Sequence, residues 1–156
     1  MRIRFLKGYT EEEFREYYKN EYCRKKIMTF DGIRVYFKEC SFNHAFYESK
    51  NRDGQKNTFS FIRAERMDWI RAALENRNAR LLQGWDKKRR RYDPSRRVCV
   101  VFNKFVVILQ MRLKRNGVLE AEFITCYWAD NSIGKIVKSP KWLKEDCLSL
   151  LNKKGR

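Results

Sequence analysis

The chain has 156 residues, with 36 Lys and Arg against 19 Asp and Glu, a formal net charge of +17. That length suits one domain with its own core, and 43% hydrophobic with 15% aromatic content is too rich for a disordered basic tail. No apolar run approaches the roughly 18 residues of a membrane span, and Met1–Leu6 lacks a secretory apolar segment. The expectation is a folded cytoplasmic domain with a polyanionic partner and no membrane association.

Thr10-Glu-Glu-Glu13 matches a capping box and predicts a helix from there to about Lys26, with Phe14, Tyr17, Tyr18 and Tyr22 at core-like spacing. Ile27–Phe30, Asp31-Gly32 and Ile33–Phe37 read as a hairpin, because Asp-Gly tolerates the positive φ of a tight turn. Ser41 is a candidate cap for a short helix holding Phe42, His44, Phe46 and Tyr47, and the polar stretch 49–57 reads as a loop. A second long helix is expected over about 62–77. Beyond it the period becomes strand-like, in Arg80–Trp85, Val98–Phe102, Phe105–Leu113 and Leu119–Trp128. Asn103-Lys104 and Arg115-Asn-Gly117 connect the last three as an antiparallel meander, and Ser139-Pro140 supplies an N-cap and first-turn proline for a final helix to about Leu151. The predicted class is α+β: N-terminal helices, then a four-stranded antiparallel sheet, then a C-terminal helix, in a single domain over 1–156.

The charge is uneven. Residues 1–78 hold 17 basic and 12 acidic side chains, net +5, whereas residues 79–156 hold 19 and 7, net +12. Asp86–Arg97 alone packs seven cations into twelve residues. The five cysteines stand more than four residues apart, so no zinc knuckle or CxxC pair is present, and reduced thiols are expected with no metal and no cofactor. Nucleotide-cradling glycine loops, a nucleophile elbow and an acidic two-metal cluster are also missing from the sequence.

His44 is the one side chain whose unperturbed pKa lies near neutrality, and helical spacing would set it beside Tyr47 and Glu48. Arg63 and Arg66 are i,i+3 neighbours aligned with Met67, Ile70 and Leu74, a placement that suits a cleft binding anionic oxygen as well as a structural pair with Glu65. In the last strand, alternation puts Leu119, Ala121, Phe123, Thr125 and Tyr127 on one face, so Thr125 and Tyr127 would project together. Lys87, Lys88, Arg89, Arg90 and Arg91, with Tyr92 and Trp85 flanking them, suit nucleic-acid phosphates and bases, and Lys56 in the polar loop joins that set. One His, several Arg and a Tyr are enough for metal-independent RNA cleavage: a base for the 2′-hydroxyl, an acid for the leaving 5′-oxygen, and cations around the phosphate.

Asn43–Glu48, Phe59–Ile70, Gln83-Gly-Trp-Asp86, Phe123–Tyr127 and Ala129-Asp130 resemble the phage-associated barnase–EndoU–colicin–RelE-like (BECR fold) nuclease group over about residues 40–142, leaving 1–39 as a helix–hairpin extension. The resemblance implies a helix-then-four-stranded-sheet core and metal-independent endoribonuclease activity, often toxin-like. The pattern's helix His falls on His44, its helix arginines on Arg63 and Arg66, and its late-strand Thr and aromatic on Thr125 and Tyr127. Members often carry proline after that aromatic, where this chain has Trp128. Glu65 is the reserve general base. The implied partners are RNA (tRNA, rRNA or mRNA) and an acidic antitoxin or immunity protein; the alternative is a non-catalytic RNA- or DNA-binding module.

Overall fold

The first helix, α1 (Glu11–Tyr18), begins where two free backbone N–H groups find side-chain partners. Glu13 N–H donates to Thr10 Oγ1 at 3.1 Å and Thr10 N–H to Glu13 Oε1 at 3.2 Å. A computed structural model describes residues 3–49 and 57–154. In it α1 runs into a π-helical turn, Lys19–Cys23, and stops short of Lys26. The wider turn suits the i,i+4 row Phe14, Tyr18 and Tyr22, all buried. The two tyrosines satisfy their hydroxyls on Lys38 and Met67 carbonyls at 2.8 and 2.7 Å.

Strands β1 (Ile27–Met28) and β2 (Arg34–Tyr36) flank the Asp31-Gly32 turn, where Gly32 takes φ 79°. Helix α2 (Ser41–Phe46) follows, with Ser41 as its first residue and Cys40 in the cap position. Then β3 (Tyr47–Glu48) pairs with β4 (Thr58–Phe59). Lys56 and the rest of 50–56 lie outside the described residues. The helix expected over 62–77 is two helices, α3 (Phe61–Glu65), capped by Ser60, and α4 (Met67–Glu75). They break at Arg66 (φ −97°, ψ 18°), whose N–H turns back to the Arg63 carbonyl at 3.1 Å.

The meander is present as β5 (Arg80–Asp86), β6 (Arg91–Val101), β7 (Phe105–Leu113) and β8 (Leu119–Trp128). Strand β6 begins seven residues before the expected Val98. The β6–β7 turn holds Phe102 and Asn103 at φ 51° and 68°, with the Phe102 ring 5.3 Å from Trp69. A short α5 (Ile133–Ile136) and α6 (Lys144–Lys154) complete the chain.

The sheet is not the expected four-stranded antiparallel one. It has six strands in the order β1-β2-β8-β7-β6-β5, with β2 parallel to β8 and every other pair antiparallel. The β1–β2 hairpin pairs with Glu120–Glu122 on the outer edge of β8, so the hairpin read as part of an extension belongs to the sheet. Ser139-Pro140 does not start the last helix either. Pro140–Trp142 lies along the other edge, with Gln83 N–H donating to the Pro140 carbonyl and Trp142 N–H to the Leu81 carbonyl, each at 2.8 Å.

One sheet face packs on the helices: Phe14, Phe42, Phe46, Met67, Ile70 and Leu74 meet Cys99, Phe105, Val107, Leu109, Phe123 and Cys126 in the main core. The opposite face carries a smaller cluster of Leu82, Val98, Val100, Val106 and Ala129, covered by Ile133 and Ile136 of α5.

Candidate functional site

Strict alternation would send Thr125 and Tyr127 into the helix-covered core behind Phe123. A β-bulge prevents it. Leu109 pairs with Phe123 but Ile108 pairs with Thr125, so Ile124 is an extra residue and the face of the strand switches. Cys126 takes the core side, while Thr125 and Tyr127 stand across from Ile108 and Val106 on the other face. This corrects the expectation that they share a face with Leu119, Ala121 and Phe123; the two still project together. Thr125 Oγ1 is buried without a hydrogen-bond partner, an arrangement that costs free energy unless a ligand oxygen meets it. Burial pushes the Tyr127 phenol above its ordinary value, with the positive charge of Arg63 opposing the rise.

Arg63 ties α3 to α2. Its Nη1 donates to the Ala45 carbonyl at 3.3 Å, one residue after His44. Helices α2 and α3 both pack against β8. Arg63 and the helix that carries His44 thus sit together on the helix side of β8, while Thr125 and Tyr127 project from its other face. His44 is exposed on α2. Tyr47 and Glu48 do not continue its helix as expected. The helix ends at Phe46, Tyr47 and Glu48 form β3, and the Tyr47 hydroxyl donates to the Glu11 carboxylate. A six-residue helix capped by strand pairing to Phe59 cannot extend the i,i+4 row.

Arg66 and Glu65 face elsewhere. The Arg66 guanidinium lies 5.0, 5.3 and 5.3 Å from the ring centres of Phe5, Trp69 and Trp128, and donates to the Ile62 carbonyl at 2.8 Å. The Glu65 carboxylate pairs with Lys7 at 3.8 Å, and its carbonyl accepts the Leu6 N–H at 2.9 Å. Both residues anchor the N-terminal segment. The break at Arg66 turns it away from Arg63.

Lys87, Lys88, Arg89 and Arg90 form the tip of the β5–β6 hairpin and Arg91 opens β6, all five exposed. Asp86 shapes the turn, its Oδ1 accepting the N–H groups of Lys88 and Arg89 at 3.0 and 3.2 Å. Those bonds hold the Asp86 carboxyl below its ordinary value. At the hairpin base Trp85 and Tyr92 are directly cross-strand, rings 5.0 Å apart and nearly perpendicular. Arg97, counted in the basic run, is not on that surface: it is fully buried and forked onto Asp31 at 2.9 and 3.1 Å.

The hairpin and Tyr127 stand toward opposite ends of β6. Tyr127 aligns through Val106 and Val100 with Arg80, five residues before Trp85. That is a separation of about 17 Å along the strands. The segment 129–139 crosses the open face between them. With Trp85 and Tyr92, its Lys135, Ile136 and Ser139 line a groove of about 420 Å³. Lys135 and Ile136 were not foreseen, because a four-residue helix leaves no periodic trace, and Ser139 was read only as a helix cap.

Comparison with protein-family models, with curated proteins and with solved structures returns no match. Among the described residues no group of three or more His, Cys, Asp or Glu side chains is placed to hold a metal ion, and no helix is long and apolar enough to cross a membrane.

Proposed function

We propose that this protein is an endoribonuclease of the BECR type, cleaving RNA by attack of a 2′-hydroxyl on the adjoining phosphate. The observation that carries the reading is the Arg63 guanidinium, bonded to the Ala45 carbonyl next to His44 in a helix pair packed against β8, the strand that carries Thr125 and Tyr127. In the reaction the 2′-oxygen bonds to phosphorus and the bond from phosphorus to the 5′-oxygen breaks, leaving a 2′,3′-cyclic phosphate and a 5′-hydroxyl. His44 takes the 2′-hydroxyl proton. Tyr127, its phenol kept protonated by burial, donates toward the leaving 5′-oxygen. Arg63 stabilises the charge on the phosphate, and the unpartnered Thr125 hydroxyl donates to a phosphate oxygen. Arg66 holds the N-terminal segment, and the hairpin cations hold RNA away from the cut. A toxin-like role would add an acidic antitoxin as partner.

The test is incubation of purified protein with total RNA in EDTA. Cleavage that leaves 2′,3′-cyclic ends and is lost by at least about 100-fold in His44→Ala, with RNA affinity kept, is the expected outcome. Intact RNA with salt-sensitive binding refutes catalysis and favours a binding module.

A further inference from the structure

We infer that the groove between Trp85, Tyr92 and the α5 segment holds an unpaired base of single-stranded RNA, so that the substrate is a single strand or loop rather than a duplex. This rests on the proposed RNA substrate and extends it to a second site, about 17 Å along the strands from Tyr127.

Trp85 is 48% exposed, whereas Trp142 is buried and Trp69 packs among Phe5, Phe102, Phe105 and Trp128. The Tyr92 ring meets Trp85 edge-on at 5.0 Å, which holds the indole as a rigid platform before any ligand arrives. Across the groove stand an ammonium (Lys135), an aliphatic wall (Ile136) and a hydroxyl (Ser139). Those are a phosphate contact, an apolar contact and a donor–acceptor for a base edge. The volume, about 420 Å³, lies within the range of small-ligand pockets. The five exposed cations of Lys87–Arg91 continue the hairpin from Trp85 and Tyr92 and complement a phosphate chain leading away from the stacked base. Bases in a duplex are stacked on one another and offer no free face to an indole, whereas unpaired bases do.

The experiment is fluorescence anisotropy with an end-labelled 2′-O-methyl RNA decamer, which has no 2′-hydroxyl to react, and with its blunt duplex. The wild-type chain is expected to prefer the single strand. Trp85→Ala should weaken single-strand binding about fivefold or more while leaving duplex binding unchanged. Trp85→Phe, which keeps a stacking face, should stay within about twofold of wild type. Lys135→Gln should flatten the salt dependence, and Trp85→Ala should not. Single-strand binding should quench wild-type tryptophan emission, and Trp85→Phe should lose most of that quench. This readout stands even where Trp85→Ala fails to fold. Unchanged single-strand affinity in folded Trp85→Ala, equal loss on the duplex, or an undiminished quench in Trp85→Phe overturns the inference. Failure of the wild type to bind either RNA overturns it together with the RNA substrate. An uncleaved RNA substrate with a Trp85-dependent affinity overturns the proposed catalysis and leaves the groove standing.

Discussion

Removing Asp31 should destabilise this protein far more than removing its partner Arg97. The Arg97 side chain is 0% exposed and that of Asp31 29%, so the cation, not the anion, is the group stranded when the fork is broken. In Asp31→Ala the guanidinium keeps the rings of Trp142 and Phe30, at 4.9 and 5.6 Å, and the neutral Cys99 thiol, but no anion, and its Nε already lacks a partner. Breaking a buried pair in this way costs about 3–5 kcal/mol, and partial access of water to Asp31 places the loss near 3. For a chain of this length that lowers Tm by about 6–12 °C, or the urea midpoint by about 1–3 M. Arg97→Met removes the buried charge, fills much of its volume and leaves Asp31 to water. It should cost no more than about 1 kcal/mol, and Asp31→Ala/Arg97→Met should recover most of what Asp31→Ala loses. Urea unfolding of the three variants decides it. Asp31→Ala within 0.5 kcal/mol of wild type, or Arg97→Met as damaging as Asp31→Ala, would refute the argument; the ~0.5 margin is that of an ordinary surface change.

The same pair sets part of the acid sensitivity. Burial pushes the Asp31 carboxyl up, but hydrogen bonds from Arg97 and Thr29 and the charge of Arg97 outweigh it and hold the group below its usual value. Its stabilisation is therefore complete above the unfolded carboxylate pKa of about 3.9 and is lost as pH falls through the lower folded value. Urea midpoints between pH 2 and 6 should fall less steeply with acid in Asp31→Asn than in wild type; parallel curves would contradict this. At the hairpin base, a Cβ on Gly84 would stand 2.3 and 2.4 Å from Cδ and Cγ of Arg96. Gly84→Ala should cost about 1–3 kcal/mol by forcing that stem aside. Gly134→Ala in α5, where the new Cβ meets nothing within 4 Å, should be neutral or stabilising. Equal melting temperatures for the two would show that the Arg96 contact does not matter.

Elements specified by neighbours in the chain were legible: the Thr10–Glu13 box, the Asp31-Gly32 turn, the β7 and β8 strands and their connections. So was the pairing of Thr125 with Tyr127 on one side of a strand, although not the side itself. Each of these needs only a few consecutive residues to satisfy local backbone geometry and hydrogen bonds. Strands β1 and β2 had a readable turn, but two and three residues carry no information about which distant edge they cover. The parallel seam joins β2 to Glu120–Glu122 of β8, a pairing between segments far apart in the chain. The bulge at Ile124 is decided by fitting Phe123 and Cys126 into one core while keeping Thr125 and Tyr127 out of it, a demand made by the helices packed above. Arg63 and Arg66 read alike as helix arginines until the break between α3 and α4 sent one to Ala45 and the other onto three aromatic rings. Arg97 looked like one cation of seven until Asp31, distant in sequence, took it into the interior. Local signals along the chain set the capped first helix, the hairpin turn, the late strands and the basic balance. Their grouping depended on contacts between distant segments, because burial and opposing charge act through space and leave no periodic mark along the chain.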